Sequence, residues 1–135
     1  MKDYNTDVYT AWQALINEKT TAHDRVRTEI VQSWLRSRAV DPFSKHRHQL
    51  PNRLLQGKLA ENVHLISLAR PVIRELSEIE GLDFAALTDS DAYIIDIAGK
   101  NEHYELLGLR FQEQDVGTNA IGTALVLDRP VEVKG

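Results

Sequence analysis

The sequence predicts an α+β fold, N-terminal helices followed by a part with antiparallel strands, and three observations predict it. Apolar residues recur at helical spacing as far as Leu76. The period then changes to strand-like runs at 84–88 and 93–97. Charge also changes sign along the chain: residues 1–58 hold ten Lys and Arg against six Asp and Glu, and residues 59–135 hold six against fourteen. Such an asymmetry marks segments with different surroundings. The boundary falls in "DPFSKHRHQLPNR" (41–53), which has two prolines and no apolar periodicity. Residues 1–50 are accordingly read as a helical segment and 51–135 as the second domain.

Taken in order, "TDVYTAWQALINEK" puts Val8, Trp12, Leu15 and Ile16 on one helical face, with Thr6 or Asp7 as N-cap. Val26, Ile30, Trp34 and Leu35 form the next stripe, with Arg25, Arg27, Arg36 and Arg38 around it, and Asp41-Pro42 ends that helix. The two together predict a helical hairpin. The longest helical pattern, 52–81, carries Leu55, Leu59, Ile66, Ala69, Ile73 and Leu76; Pro71 predicts a kink or break, and Gly81 a stop. The runs 84–88 and 93–97 flank Asp89-Ser90-Asp91-Ala92 and predict a hairpin.

The most informative stretch is "EQDVGTNAIGTALVLDRP" (113–130). Gly117 is placed to supply a backbone angle that other residues resist, and Thr118 or Asn119 can cap the short apolar helix that follows. Gly122 costs about 1 kcal/mol against alanine inside a helix, so either tight helix-on-sheet packing or close approach of a ligand must compensate. "VEVKG" starts a strand with Val131 and Val133 facing one way.

"GTNAIGTAL" followed by "RPVEVKG" resembles the GAF sensory domain of sigma-54-dependent bacterial transcriptional activators, the acetoin-catabolism and glycerol-metabolism regulator type. "IVQSWLRSRAVDP" resembles the element that precedes that domain, through Ser33, Trp34, Arg36, Ser37, Asp41 and Pro42, and "LDFAALTDSDAYIIDIAG" resembles its first hairpin. The resemblance spans roughly residues 30–135 and implies that 51–135 is the N-terminal part of a GAF-like half-domain. The chain departs from the pattern at Ala92, where the family commonly has glycine. A GAF domain would also continue into two further strands and a helix, and such a regulator adds an AAA+ ATPase and a helix-turn-helix. No G-x-x-x-x-G-K phosphate loop occurs. The expectation is a truncated domain with an exposed sheet edge.

The resemblance implies a regulatory region that binds a small effector. Tyr93, Tyr104, Phe111, Asn119 and Thr123 are the candidate lining of its pocket, each aromatic having core packing as its alternative role. Free N–H groups at the helix start favour an acidic or carbonyl-bearing effector. The partners expected are a second copy of the chain and the effector, with DNA and sigma-54 RNA polymerase reached only through regions outside these residues. A ligand-free dimerisation module, its pocket filled by Tyr93 and Phe111, is the alternative.

Other chemistry is weakly supported. The chain has no cysteine, so thiolate metal sites and disulfides are excluded. His46 and His48 read as a basic linker rather than metal ligands, and Asp89 and Asp91 as turn formers rather than a catalytic pair. No nucleophile–base pattern marks an enzyme, and no cofactor is expected. Arg36, Arg38, Lys45, Arg47 and Arg53 form a basic cluster without a recognisable reading helix. With no apolar run near the roughly 20 residues of a membrane span and no signal-peptide core at the start, the expectation is a soluble cytoplasmic protein without membrane contact.

Overall fold

The computed structural model describes residues 9–10, 12–14, 26–41, 47–99 and 103–134. Their elements are α1 (Thr28–Ser37), α2 (Asn52–Glu61), α3 (Val63–Ser77), β1 (Phe84–Thr88), β2 (Ile94–Gly99), a 3-10 turn at Tyr104–Leu106, α4 (Glu113–Val116) and α5 (Ala120–Leu127). Helices and an antiparallel pair of strands make the α+β fold that the sequence predicts. The chain forms two compact units, residues 46–111 and residues 1–45 with 112–135. Among the described residues no helix is long and apolar enough to cross a membrane.

In the 46–111 unit, β1 and β2 form a hairpin with Phe84 opposite Gly99 and Ala86 opposite Ile97, shifting register between Leu87 and Thr88. The hairpin closes where Gly99 meets Phe84: a Cβ at residue 99 would lie 2.6 Å from the Asp83 carbonyl oxygen. No side chain fits there. Helix α3 packs across both strands, with Ile66 and Ile73 buried. Ile94, Ile95, Ile97 and Leu109 are further large aliphatic side chains buried in this unit. Leu55, Leu59 and Ala69 are half-buried, as the stripe predicts, but Leu76 is exposed. Its place is taken by Ser77, four residues after Ile73, whose hydroxyl is satisfied by the Arg74 carbonyl at 2.7 Å.

The helical pattern is broken at Asn62, and α3 runs on through Pro71. The Asn62 side-chain amide donates to the Lys58 carbonyl at 2.9 Å, and that local bond competes with continuing the helix. Pro71 removes the bond to the Ser67 carbonyl, yet both residues are exposed, so water can satisfy the freed group. The helix stops at Ser77, four residues before Gly81.

Ala92 sits in the hairpin turn at φ 68°, fully buried. An L-residue with a Cβ pays about 1–2 kcal/mol in that left-handed region. A β-branched side chain there would clash further. Ala92→Val is therefore expected to destabilise by at least about 2 kcal/mol. Ala92→Gly should stay within about 1 kcal/mol of the parent, relief of strain offsetting the lost methyl and the looser unfolded chain. Urea unfolding of both variants checks the pair, and equal midpoints would contradict the assigned turn.

In the other unit, Val26, Ile30 and Trp34 form a buried cluster against which Trp12, Val31 and Val133 pack. Leu35, expected in this stripe, is 49% exposed. Ile30, Ser33, Trp34 and Ser37 are the buried side of α1, an i, i+3, i+4, i+7 series that leaves Leu35 pointing outward. The helix ends at Ser37, before Asp41-Pro42, where the Ser37 hydroxyl bonds back to the Ser33 carbonyl at 2.8 Å. Residues 9–10 and 12–14 are helical, but Val8, Leu15, Ile16, the caps at 6 and 7, Arg25, Pro42, Lys45 and His46 lie outside the described residues.

Residues 131–134 do not form the strand that their alternation suggests. Among the described residues of this unit there is no strand for them to pair with. Val131 and Val133 are half-buried, Val133 against the Trp34 cluster, and the Glu132 carbonyl accepts a bond from Arg27.

Candidate functional site

The two motifs at 33–37 and 117–123 meet in one compact unit. Ser33 Oγ lies 2.7 Å from Thr118 Oγ1 and 3.3 Å from Thr123 Oγ1, either hydroxyl being able to donate. Thr123 Oγ1 donates to Glu113 Oε1 at 2.8 Å. Arg36 closes the set with two bonds, Nε to Glu113 Oε2 at 2.7 Å and a terminal nitrogen to Oε1 at 2.9 Å. Ser33, Glu113 and Thr123 are buried. Spacing explains the geometry: one turn of α1 separates Ser33 from Arg36 and Ser37, so all three face the same neighbours.

Local chain chemistry presents the second motif. Gly117 ends α4 at φ 78°, as the sequence suggests, which turns the chain towards Asn119. The Asn119 side chain accepts the Gly122 N–H at 2.9 Å and donates to the Gly117 carbonyl at 2.9 Å, capping α5. Thr123 then lies one turn in, buried against Glu113.

Burial pushes the Glu113 carboxyl up, but hydrogen bonds from Arg36, Ser33 and Thr123 and the Arg36 charge outweigh it, and the net shift is downward. The Arg36 guanidinium is correspondingly raised by its bond to Glu113. The carboxylate is thus held ionised inside the unit by a bidentate fork, the geometry that suits Arg to buried carboxylates.

Beside this network lies a cavity of about 160 Å³, lined by Trp12, Trp34, Ser37, Arg38, Val40, Val116, Gly117 and Thr118. Both tryptophans of the chain and residues of both motifs contribute to its wall.

In the 46–111 unit, the Tyr93 hydroxyl and His48 Nε2 are 2.7 Å apart. Lys58 Nζ sits 4.6 Å from the Tyr93 ring centroid and the Arg110 guanidinium 5.7 Å from it, so the ring faces two cations. Lys58 also pairs with Asp89, and that bond raises the ammonium pKa. Asp89 Oδ1 accepts the Asp91 and Tyr93 N–H groups, both at 3.0 Å, the turn-forming role expected of it. Asp89→Ala is expected to cost about 1–3 kcal/mol, because two backbone donors and Lys58 lose their acceptor together. Thermal unfolding measures this; a change comparable to a surface substitution would contradict it.

The five residues read from the sequence fall into two groups. Tyr93, Tyr104 and Phe111 belong to the 46–111 unit, and Asn119 and Thr123 to the other. Tyr93 is buried, Tyr104 is 56% exposed, and Phe111 is half-buried with its N–H on the Ala92 carbonyl at 2.9 Å. Asn119 and Thr123 share a helix turn, the Thr123 N–H bonding the Asn119 carbonyl. The sequence reading missed Glu113 as the centre of the polar network and gave Arg36 to the basic cluster. The available signal was Ser33 and Ser37 continuing the spacing of Ile30 and Trp34. Among the described residues no cluster of His, Asp and Glu could hold a metal ion.

No family model and no solved structure matches the chain. It is 32% identical, over 85% of its length, to an uncharacterized 47.3 kDa protein encoded in the thcA 5′ region of Rhodococcus erythropolis. It is 26% identical over 98% of its length to the propane 2-monooxygenase operon transcriptional activator MimR of Mycolicibacterium smegmatis. To the acetoin dehydrogenase operon transcriptional activator AcoR of Bacillus subtilis it is 29% identical over 92%. The chain spans 29%, 24% and 22% of the lengths of these relatives, respectively. The chain is thus similar, over nearly all of its length, to two bacterial operon transcriptional activators.

Proposed function

We propose that the chain is the signal-sensing region of such an activator, a GAF-like half-domain at 51–135 preceded by a helical segment at 1–50. It binds a small effector and, through homodimer rearrangement, controls an AAA+ ATPase that acts with sigma-54 RNA polymerase at DNA. Similarity to two operon activators over nearly all of this chain carries the reading. Tyr93, Tyr104, Phe111, Asn119 and Thr123 are its proposed effector contacts. Tyr104 is the most accessible of them, and Asn119 opens a helix whose first N–H groups suit a carbonyl or acid.

A specific observation favours the second reading, pairing without a ligand. Leu65, Leu68, Val72, Leu76 and Ile79 are all exposed along and just beyond α3 at helical spacing, a face that a second copy could cover. Thermal melts of the chain with acetoin as the carbonyl-bearing probe separate the two, since only a binder stabilises by mass action. A saturating rise that Tyr104→Ala removes supports sensing. Flat melts with acetoin and with pyruvate, together with a concentration-dependent dimer, would favour the pairing module.

A further inference from the structure

We infer that the cavity walled by Trp12 and Trp34 is a second small-molecule site, one that takes a carboxylic acid with a flat apolar body of about the size of benzoate. Its volume of about 160 Å³ is close to that of an engineered apolar cavity of roughly 150 Å³ that binds benzene. Two indoles, Val40 and Val116 form the apolar side of a mixed wall, the side suited to a ring. At Gly117 the wall is bare: a Cβ built there meets nothing within 4 Å.

The polar lining selects the ligand's other end. Ser37 has spent its proton on the Ser33 carbonyl, and Thr118 is hydrogen-bonded to Ser33. Arg38 is different. It lines the cavity, is exposed, and has no ion-pair partner among the described residues, whereas Arg36 is fully engaged by Glu113. An exposed guanidinium in the wall of a cavity with one apolar side, without an ion-pair partner among the described residues, can take a carboxylate by a two-bond fork. The bound molecule would also rest on Thr118, which is tied through Ser33 and Thr123 to the Glu113–Arg36 pair. Occupancy would thereby stiffen the contact between the two motifs. This site does not depend on the effector contacts proposed at Tyr93, Tyr104 and Phe111, which belong to the 46–111 unit.

The test uses the full chain and its own fluorophores, because both tryptophans line the cavity. Tryptophan emission is titrated with benzoate and with benzyl alcohol, a neutral molecule of similar size. Benzoate should give a saturable change at least tenfold tighter than benzyl alcohol. Arg38→Gln, at an exposed position, should remove that preference, and Val40→Phe should fill the cavity and abolish both titrations. Should Val40→Phe fail to fold, Arg38→Gln and benzoate-dependent melting of the parent still decide. A parent chain with no saturable response overturns the site. Equal binding of the two probes, unchanged by Arg38→Gln, overturns the carboxylic-acid class, and benzoate binding retained by a folded Val40→Phe overturns the location. None of these failures touches the effector reading, whose probe is acetoin and whose variant is Tyr104→Ala.

Discussion

Trp34→Ala is expected to lower the free energy of unfolding by about 3–5 kcal/mol, the range found when a buried indole or phenyl ring is removed. Trp34 is 7% exposed and packs with Val26 and Ile30, under Trp12, Val31 and Val133. Its loss removes contacts to all of them at once. The cost should fall towards the upper part of that range, since the new void would join an existing cavity on the same side chain rather than collapse. Leu35→Ala is the control: it is adjacent in sequence but exposed, and should change stability by no more than about 0.5 kcal/mol. Urea unfolding followed by circular dichroism compares the two. Similar midpoints for both variants would mean that the helix presents a different face.

The contrast between Trp34 and Leu35 also shows where the sequence is readable. Apolar spacing places Ile30 and Trp34 correctly, but it cannot rank Leu35 against Ser33 and Ser37 for the remaining inward positions. Those serines are buried because partners distant in the chain, or the previous turn of their own helix, satisfy their hydroxyls. The hairpin at 84–99 is legible because alternation, the Asp89 turn and short range all agree. Helix α5 is legible for a similar reason: Asn119 caps its start, and Asp128, at φ 52°, ends it. The break at Asn62 is not, because the competing side-chain bond costs nothing that composition records, whereas Pro71 is conspicuous and tolerated. A strand at 131–134 fails for a third reason. Alternation fixes which side chains share a face, but it supplies no partner strand.

The same limit applies to the candidate site. Asn119 and Gly117 can be assigned backbone roles from local rules, and the structure bears both out. Glu113 could not be assigned, because its partner Arg36 is 77 residues away. Nor does the Ser-Trp-x-Arg-Ser element explain itself in isolation. Ser33 reaches Thr118 and Thr123, Arg36 reaches Glu113, and Trp34 anchors the cluster beneath them. The element is the docking surface for the glycine-bounded motif, so two motifs distant in sequence are halves of one construction.

The Glu113–Arg36 pair should make stability depend on pH in a definite direction. Glu113 has a folded-state pKa below its ordinary 4.5, so its contribution is fully present above that value. That contribution is lost as the pH falls through the folded value, where the native carboxylate takes up its proton. Glu113→Gln should therefore be less stable than the parent at neutral pH, by about 1–3 kcal/mol for a charged hydrogen-bond set. The deficit should shrink as the solution is acidified below the ordinary carboxylate range. Arg36→Met should cost more at neutral pH, about 3 kcal/mol, because it leaves the buried carboxylate with hydroxyl donors alone; Arg36 is partly exposed, which keeps the value at the low end for a broken buried pair. Combining Arg36→Met with Glu113→Leu removes both charges and should recover part of that loss, giving a coupling of about 2 kcal/mol in a double-mutant cycle. The parent, Arg36→Met, Glu113→Leu and the double variant close the cycle at neutral pH, and Glu113→Gln against the parent at neutral and acidic pH supplies the pH comparison. Strict additivity, or a Glu113→Gln deficit that grows on acidification, would show that the carboxylate is not held ionised by Arg36.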